Sequence, residues 1–485
     1  MAVSYLEEKY EPVIGLEVHA QLKTQTKIFC SCPAGFSAES NSNVCPVCLG
    51  HPGVLPVLNR KAVEFAVKLG YALDAEINTS SIFARKNYFY PDLPKGYQIS
   101  QFSLPVVGEG KLLIELEDGS IREIGVNRAH LEEDAGKSIH DRGPYTLVDV
   151  NRCGVPLLEI VSHPDMRSGA EAAAYLKTLR QILLYLDICD GNMEEGSLRC
   201  DANISVRLRG ETKLGTKTEV KNMNSFKNVE KAINYEIARQ IELLEDGEAV
   251  VQQTLLWNAD KGLALPMRSK EDSHDYRYFP DPDLRPLQID AGWMEEIRRA
   301  MPELPAAKKG RYISEMGLPP YDAAVLTQQP DTAAYFEAAA IHTKAYKELS
   351  NRIMTDVLSV VNDRKIPIGN FTIEPQRMAQ LVELVSSGVI SGKIAKEVFA
   401  LMLEEKTLPE DIVKREGLMQ ISDTGELEKL IDQLLDENPQ QVEEYLAGKE
   451  KVLGFFVGKV MRETKGKANP GSVNSILLSS LKKRG

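Results

Sequence analysis

The sequence lacks the features that mark membrane, secreted and simple nucleotide-binding proteins. It contains no apolar run near the roughly 20 residues of a membrane span, and the acidic segment Met1–Glu11 has no signal-peptide core. Gly136-Lys137-Ser138 does not end a phosphate-binding P-loop, because that motif requires glycine where this chain has Leu131. Internal repeats and low-complexity tracts are also missing. These absences predict an ordinary globular protein of the cytosol.

Positive charge is scarce and unevenly distributed. The chain has 58 Lys and Arg against 70 Asp and Glu, a formal net charge of −12, which argues against generic nucleic-acid binding. Residues 451–485 nevertheless contain eight basic residues and one acidic residue, whereas residues 401–450 contain five basic and fourteen acidic residues. A basic end on an acidic protein predicts a polyanion contact confined to that region, with a solvated terminal helix as the alternative.

The periodicity of apolar residues changes in the middle of the chain. Before Phe279–Pro286, several segments alternate polar and apolar residues in the manner of half-buried strands. That proline-rich stretch cannot form regular helix or a central strand, and from Ala291 onward the apolar spacing becomes helical. The 485 residues suffice for roughly two to four domains. The sequence therefore predicts an α+β protein in which a β-rich part precedes an all-helical part.

The stretch Val126–Ser138 contains three successive carboxylates, Glu132, Glu133 and Asp134. On a strand, alternate side chains point to the same face, so Arg128, His130 and Glu132 would share one face. A solvated acidic loop is the alternative for this segment taken alone. We expect this polar face to meet others and to hold a divalent metal with a phosphorylated ligand.

Other segments carry polar residues on one predicted strand face. Residues 11–23 place Glu17 beside His19, and residues 198–208 and 217–222 add further charged positions, namely Asp201, Glu219 and Lys221. Glu159 lies inside a run of branched apolar residues, where an unpaired carboxylate would be costly. It would pair with Arg152 in a salt bridge or bind a metal. Four or five such faces in one region predict a concave site rather than a solvated surface.

Two close cysteine pairs predict a structural zinc site. Cys30 and Cys32 are followed after twelve residues by Cys45 and Cys48, a spacing that suits tetrahedral thiolate coordination. Two disulfides are the alternative, although the cytosolic features and three further cysteines argue against them. Four thiolates leave no open coordination position, so this zinc would stabilise a loop and would not catalyse.

The segment Phe83–Phe102 combines basic and aromatic residues with two prolines and does not fit a helix. It would present Lys86 and aromatic faces to a nucleotide or an RNA end. A packed aromatic corner is the alternative, and composition alone favours that alternative.

Five motifs carry a resemblance to a known family. In chain order, the sequence resembles the B subunits of bacterial glutamine-dependent aspartyl/glutamyl-tRNA(Asn/Gln) amidotransferases at Val13–His19, Arg85–Asp92, Leu131–Ser138, Met193–Asn203 and Asp275–Pro280. The resemblance extends from about Tyr10 to Leu481, which is essentially the whole chain. It implies a cradle domain at 1–292 with a zinc-binding loop at 30–48, a helical domain at 293–405 and a tRNA-binding helical tail domain at 406–485.

The resemblance also implies a reaction. Such proteins use ATP and Mg²⁺ to phosphorylate the side-chain carboxylate of Glu or Asp misacylated on tRNA(Gln) or tRNA(Asn). Ammonia then displaces the phosphate, which makes the enzyme a carbon–nitrogen ligase. The implied partners are an amidase subunit, which releases ammonia from glutamine, a small stabilising subunit and the misacylated tRNA. The chain has no amidase signature of its own.

Site residues follow from the same resemblance. His19, Glu132 and Glu159 are the expected catalytic Mg²⁺ ligands, with Glu17, Asp201 and Glu219 as further candidates. Lys86, Lys137 and Lys221 are candidates for ATP phosphate contacts. In the basic tail, the expected tRNA contacts are Lys459, Arg462, Lys465 and Lys467. Two other functions remain open at this stage: a non-catalytic, zinc-bearing tRNA-binding scaffold and a two-metal hydrolase.

Overall fold

The structure is a computed structural model that describes residues 8–37, 39–140, 143–267, 276–420, 424–464 and 467–484. The chain divides into two compact units, Met1–Pro305 and Ala306–Gly485. The strands of the described ranges all lie in the first unit, and the second unit is helical wherever it has regular structure. The predicted α+β class, with the β-rich part first, is confirmed.

The first unit is built on a large, mainly antiparallel sheet with three small sheets beside it. The eight-stranded sheet has the spatial order β13-β12-β11-β10-β1-β9-β6-β5, and the small sheets are β14-β3-β4, β15-β2 and β7-β8. The strands are β1 Tyr10–Gln21, β2 Ser80–Ser81, β3 Ala84–Asn87, β4 Tyr97–Ser100, β5 Gly110–Glu115, β6 Ile121–Glu133, β7 Lys137–Ile139, β8 Leu147–Asp149, β9 Pro156–Ser162, β10 Leu198–Leu208, β11 Thr218–Lys221, β12 Thr254–Asn258, β13 Leu263–Pro266, β14 Phe279–Pro280 and β15 Leu287–Gln288.

The centre of the large sheet is an antiparallel group of four strands. Strand β1 pairs with β10 on one side and with β9 on the other, and β9 also pairs with β6. This register places His19 opposite Arg199 and Glu159, and it places Glu159 opposite His130. Residues far apart in sequence therefore become direct cross-strand neighbours.

The two faces of β1 have different surroundings, as its alternation predicted. Ile14, Leu16 and Val18 are fully buried, whereas Glu17 and His19 point to the other face and are partly exposed. Each buried aliphatic side chain of this kind contributes about 1.5–3 kcal/mol to the hydrophobic stabilisation. A slip of one residue would exchange the two faces, so core burial fixes which side chains reach the polar face.

In the described ranges, the helices with assigned bounds that belong wholly to the first unit are α1 Arg60–Ala72, α2 Gly169–Tyr185, α3 Phe226–Glu245 and α4 Ala291–Arg299. Helix α2 begins after Ser168, whose hydroxyl accepts a hydrogen bond from the Glu171 backbone N–H. Helices α2 and α3 pack on each other, and they also contact β5 and β10 respectively. Their apolar residues join those of the sheet in one core, which leaves the polar sheet face free for a site.

A hairpin precedes the acidic stretch. Strands β5 and β6 pair antiparallel, and Gly119, with φ at +80°, occupies the turn between them. Asp118 stabilises this turn by accepting hydrogen bonds from the Ser120 N–H and hydroxyl. The acidic stretch itself is the end of β6 and is buried, so the solvated-loop alternative is wrong.

The segment 83–102 contains no helix, as expected, and forms the antiparallel pair β3 and β4. Its aromatic side chains are not packed into a corner throughout. Phe89 is 85% exposed and Phe102 is 54% exposed. The packed-corner interpretation, which composition favoured, is therefore wrong for these two rings.

The second unit contains two separate hydrophobic clusters, one spanning Tyr312–Val413 and one spanning Leu427–Leu481. A π-helical turn at Ile353–Val357 joins α8 to α9, and 3₁₀ turns lie at Ile368–Asn370 and Glu450–Val452. The helices are α5 Pro305–Ser314, α6 Pro320–Leu326, α7 Pro330–Ala340, α8 Tyr346–Arg352, α9 Leu358–Arg364, α10 Pro375–Ser386, α11 Gly392–Glu404, α12 Pro409–Arg415, α13 Thr424–Asp436, α14 Pro439–Leu446, α15 Leu453–Glu463 and α16 Pro470–Lys482.

Two predictions concern the chain as a whole, namely its division into domains and the lack of a membrane span. The division into domains at 1–292, 293–405 and 406–485 stays a prediction. In the described ranges, no helix combines the length and apolar character that crossing a bilayer requires.

Candidate active site

Three adjacent strands bring one histidine and two glutamates together on the polar face of the large sheet. His19 is on β1, Glu159 on β9 and Glu132 on β6. Nε2 of His19 lies 3.4 Å from Oε2 of Glu159 and 3.7 Å from Oε1 of Glu132. Within the described residues, one ligand atom from each of these side chains lies within 4.8 Å of the others. The structure therefore brings together the three residues that the resemblance selected.

A second histidine, His130, completes this cluster, and the site residues predicted from the sequence do not include it. Its Nε2 lies 3.3 Å from Oε2 of Glu159 and 3.7 Å from Oε2 of Glu132, and the residue is only 4% exposed. Nδ1 is buried and has no hydrogen-bond partner in the part of the chain that is described. The signal that could have identified His130 was its position two residues before Glu132 on the same strand face.

The cluster has strongly shifted proton affinities. Burial opposes ionisation of Glu159, but hydrogen bonds from His130 and His19 outweigh it and hold the pKa of Glu159 far below its ordinary value. Burial likewise opposes a charge on His130, yet the two glutamates raise its pKa to about 9. The pKa of His19 is raised for the same reason, mainly by Glu159. Glu159 is thus kept anionic in a largely desolvated place.

This donor set fits Mg²⁺. Hard oxygen ligands suit that ion, which in proteins is usually held by one or two carboxylates together with water and phosphate oxygens. Within the described residues, neither Glu132 nor Glu159 has a Lys or Arg nitrogen within 4 Å. Ser100 donates a hydrogen bond of 3.2 Å to Glu132 and so helps to fix its carboxylate. A divalent cation bound there would replace the histidine protons as the positive charge that faces the two carboxylates.

Lys86 lies beside this cluster. Its ammonium is 4.9 Å from the ring centre of Tyr276 and 5.8 Å from that of Tyr88. Burial works against its charge, but the fields of Glu132 and Glu159 raise the pKa of Lys86. Lys86 is therefore a cation next to the carboxylates that has no ion-pair partner within 4 Å in the described ranges, an arrangement that suits a phosphate contact.

The other candidate residues on the sheet face already have hydrogen-bond or ion-pair partners. Lys221 contacts Asp201 at 2.6 Å and Glu219 at 2.8 Å, and Glu17 accepts a hydrogen bond of 2.9 Å from Asn203. Burial, with help from Glu159, raises the pKa of Glu17. In the described residues, Glu17, Asp201 and Glu219 fall outside the compact group of ligand atoms. They extend the polar face across β1, β10 and β11.

Arg152 does not pair with Glu159, so the structural salt bridge considered from the sequence is wrong. Arg152 Nε lies 3.4 Å from Oδ2 of Asp134, and its guanidinium donates to the carbonyls of Ala135 and Gly136. Arg199 contacts the same Asp134 oxygen at 2.9 Å. The two guanidinium groups lower the pKa of Asp134 despite its burial. Glu159 therefore contacts the two histidines, whereas Arg152 stabilises the turn that follows β6.

The four cysteines predicted to bind zinc converge in one place. All seven cysteines lie in the described ranges and carry free thiols, so the disulfide alternative is wrong for this structure. The four Sγ atoms all lie within 4.8 Å of one another, in Cys30, Cys32, Cys45 and Cys48. These separations fit the edges of a thiolate tetrahedron around zinc.

A buried lysine adds to this fit. Lys27 is fully buried, and its ammonium lies 3.6 Å from Sγ of Cys48 and 2.7 Å from the carbonyl of Asn43. A hydrogen bond from Cys30, assisted by the Lys27 charge, lowers the pKa of Cys48 to about 4. A buried cation beside the sulfurs offsets part of the negative charge that four thiolates would bring to a zinc site.

The cysteine loop also supports the end of β6. Gly50, two residues after Cys48, has φ at +68° and packs so closely on Lys95 that a Cβ atom there would clash. Lys95 in turn pairs with Glu133, which also accepts a hydrogen bond of 2.8 Å from the Ile99 N–H. Glu133 therefore anchors the loop, while its neighbour Glu132 points into the histidine–glutamate cluster.

Comparison with known proteins identifies the family. A family model described as "GatB/GatE catalytic domain" matches residues 12–295, and one described as "GatB domain" matches residues 334–481. The chain is 56% identical over 473 residues to the B subunit of the aspartyl/glutamyl-tRNA(Asn/Gln) amidotransferase of Chlorobium limicola, covering 98% of this chain and 99% of that one. It is 55% identical over 477 residues to the same-named protein of Geotalea daltonii, again covering 98% and 99%.

The chain belongs to the family of amidotransferase B subunits. The resemblance noted from five motifs is thereby confirmed over the full chain. Members of this family are subunits of an enzyme of the ligase class. The catalytic-domain match covers the whole histidine–glutamate cluster and the cysteine loop, and the second match covers most of the helical unit.

Within this family member, the remaining predicted residues lie in separate places. Lys137 is exposed on β7, in a two-stranded sheet outside the large one, and we leave it out of the proposed site. On α15, Arg462 is exposed, and the half-buried Lys459 donates a hydrogen bond of 2.8 Å to Asn438. Lys467 is half-buried, and Lys465 lies outside the described residues.

Proposed function

We propose that this chain phosphorylates and then amidates the side-chain carboxylate of Glu-tRNA(Gln), Asp-tRNA(Asn) or both. The observation that supports this most directly is the group formed by His19, Glu132 and Glu159, whose ligand atoms converge within 4.8 Å on the sheet face. The two glutamates, which face histidines and have no Lys or Arg nitrogen within 4 Å in the described residues, and the adjacent Lys86 suit a metal-assisted phosphoryl transfer.

The chemistry explains why a phosphoryl-transfer site is needed. A carboxylate oxygen is a poor leaving group, so ammonia does not displace it directly. Attack of the substrate carboxylate on the γ-phosphorus of ATP breaks the bond to the β-phosphate oxygen and gives an acyl phosphate and ADP. Ammonia then attacks the acyl carbon, inorganic phosphate leaves, and loss of a proton from nitrogen leaves the amide. The products are Gln-tRNA(Gln) or Asn-tRNA(Asn), ADP and phosphate.

Different residues of the site bind the metal, orient the carboxylates and contact the phosphates. His19, Glu132 and Glu159 would hold Mg²⁺, which when bound neutralises charge on the phosphoryl oxygens. His130 keeps the two carboxylates oriented from its buried side of the cluster. Lys86 contacts the phosphates, because its position beside the cluster lets it add positive charge there. Glu17, Asp201, Glu219 and Lys221 supply a hydrated polar surface next to the reacting groups.

Partners complete the proposed reaction. Ammonia comes from a partner amidase subunit that hydrolyses glutamine, and a small third subunit stabilises the complex. Zinc on the four cysteines holds the loop that supports Glu133, and so it acts on the site only through structure. The basic tail, with Arg462 exposed on α15, contacts the tRNA.

Substitution of the two glutamates tests the proposal. Glu132→Gln and Glu159→Gln should each abolish the release of phosphate from ATP that depends on Glu-tRNA(Gln) in the assembled amidotransferase. Glu123→Gln is the matched control, because Glu123 lies on the same strand β6 but pairs with Lys111 at 3.3 Å on the surface. Its turnover should equal that of the parent protein.

Two outcomes would replace the proposal with another function. Full tRNA-dependent turnover in both glutamine variants would leave a zinc-bearing tRNA-binding scaffold as the better description. Phosphate release from simple phosphoesters without tRNA would indicate a metal-dependent hydrolase.

A further inference from the structure

Four aromatic rings form a continuous row next to the histidine–glutamate cluster. Phe102 and Tyr278 stack with ring centres 4.3 Å apart and planes 11° apart. Tyr276 meets Tyr278 edge to face at 6.1 Å and meets Tyr88 in the same way at 6.0 Å. The rings come from the ends of β3 and β4 and from the segment before β14, which the small sheet holds side by side. We call Tyr88, Tyr276, Tyr278 and Phe102 the aromatic row.

Much of this row faces solvent, although the faces of aromatic rings are largely apolar. Phe102 is 54% exposed and Tyr276 is 43% exposed, while Tyr88 and Tyr278 are half-buried. Single exposed apolar residues are ordinary on protein surfaces, but a run of adjoining aromatic rings is not. A stacked pair whose outer face is open can accept a third planar ring at the same spacing.

The row leads directly to the charged groups of the site. The Lys86 ammonium lies over Tyr276 and near Tyr88, at the end of the row away from Phe102. Burial raises the pKa of Tyr278, and the fields of Glu132 and Glu159 add to it, so this ring lies within electrostatic reach of the carboxylates. A stacking surface, a cation and a pair of carboxylates thus lie close to one another. A nucleotide carries groups that match them: a planar base, phosphates and a phosphate-bound cation.

We propose that the aromatic row binds an adenine base by stacking, chiefly on the Phe102–Tyr278 pair. This inference rests on the proposed function, in which both ATP and the 3′ end of the tRNA bring an adenine to the site. Base stacking on aromatic side chains tolerates any base, so the row supplies affinity and position rather than sequence recognition. Lys86, at the other end of the row, lies where it can reach the phosphate attached to the stacked nucleoside.

Ring removal tests the inference in the assembled amidotransferase. Phe102→Ala and Tyr278→Ala should each weaken binding of the adenine-bearing ligand by about tenfold, from the typical energy of one base–aromatic stack. Phe102→Tyr and Tyr278→Phe keep the rings and should restore binding. Phe89→Ala is the matched control, because Phe89 is a more exposed aromatic residue of the same region and lies outside the row. Equilibrium binding is measured by calorimetry for ATP and by filter binding for Glu-tRNA(Gln), with and without its terminal adenosine.

The results distinguish the two sources of the base. A loss confined to ATP assigns the row to the nucleotide substrate. Loss of the preference for tRNA that has its terminal adenosine, with ATP binding intact, assigns it to the RNA end. Unchanged binding of both, or loss of partner subunits from the complex in place of a loss of affinity, would overturn the inference. Because these are binding measurements, they are independent of the Glu132→Gln turnover assay, and either proposal can fail without the other.

Discussion

Nε2 of His130 lies 3.3 Å from Oε2 of Glu159, and Nε2 of His19 lies 3.4 Å from that same oxygen. One carboxylate oxygen is therefore shared by two imidazoles with different surroundings. The side chain of His19 is 20% exposed, whereas that of His130 is 5% exposed. This difference separates their roles: His19 can face a cation that enters from solvent, and His130 can only orient the carboxylates.

His130→Ala should therefore weaken metal binding without removing a ligand. Loss of a group that orients metal ligands typically lowers metal affinity about 10- to 100-fold, and we expect an effect in that range. His130→Gln keeps a side-chain N–H donor and should recover part of the affinity. Titration with Mn²⁺, with the free ion followed by electron paramagnetic resonance, measures this directly. His163→Ala, at a half-buried histidine just after β9, is the control, and equal affinities in all variants would refute the role of His130.

Zinc should be present at one equivalent and should depend on the four cysteines. Cys48→Ser should lower the zinc content of the purified chain and its thermal unfolding temperature. The reason is that the loop that supports Glu133 through Lys95 loses one of its zinc ligands. Lys27→Met should release zinc faster, because the buried ammonium beside Cys48 is removed. Elemental analysis and release to a chromogenic chelator give the two readouts. Cys189→Ala, at a buried cysteine outside the cluster, should keep its zinc, and equal loss there would contradict the assignment.

The stability of the second unit should depend on pH through Asp322. Hydrogen bonds from Lys347 and Ser350, at 2.7 and 2.6 Å, lower the pKa of this carboxyl despite its burial. Because folding lowers the pKa, the stabilisation is complete above the ordinary value of about 3.9 and disappears as pH falls through the folded value.

Asp322→Asn should accordingly reduce the free energy of unfolding by about 1–3 kcal/mol near neutral pH. The difference from the parent protein should shrink as the pH falls below about 4, and it should vanish below the lowered pKa of the folded carboxyl, where the parent side chain is neutral as well. Urea unfolding followed by circular dichroism at both pH values measures it. Asp363→Asn, at an exposed position of α9, should have little effect at either pH. A difference for Asp322→Asn that persists at low pH would assign the loss to packing rather than charge.

The basic tail should contribute an electrostatic part of tRNA binding. Arg462→Glu combined with Lys467→Glu should weaken binding of Glu-tRNA(Gln), and it should reduce the slope of log affinity against log salt by about one per lost phosphate contact. Lys414→Glu, a charge reversal on α12 where Lys414 pairs with Glu410, is the control. An unchanged slope in the double variant would exclude the tail from the RNA contact.

The sequence was most informative where one strand face must be buried. Alternation along β1 assigned Ile14, Leu16 and Val18 to the core and His19 to the polar face, and the structure confirms both. Alternation cannot reveal which strands become neighbours, because that order comes from long-range pairing. The sequence placed His130 on the polar face with Glu132, but its contact with Glu159 could not be predicted, because the two residues face each other only where β9 lies beside β6.

Nearness in sequence was a poor guide to the partner of Glu159. Arg152 is only seven residues away, but it lies before β9 begins and donates to the turn after β6 instead. Lys137 stays a prediction as a phosphate contact, and it lies on β7, because the chain leaves the large sheet before reaching it. The aromatic segment showed the limit of composition, which cannot distinguish a buried ring from the exposed ring of Phe102.

The adjacent residues Glu132 and Glu133 serve two different parts of the molecule, the cluster of histidines and glutamates and the loop of the four cysteines. Insertion or deletion of one residue shortly before them would exchange the faces to which the two carboxylates point. Point substitutions can be tolerated elsewhere in β6, but a change in its length would disrupt the histidine–glutamate cluster and the cysteine loop at once. The end of this strand should therefore evolve by replacement alone, and its length should be the same in every functional descendant of this chain.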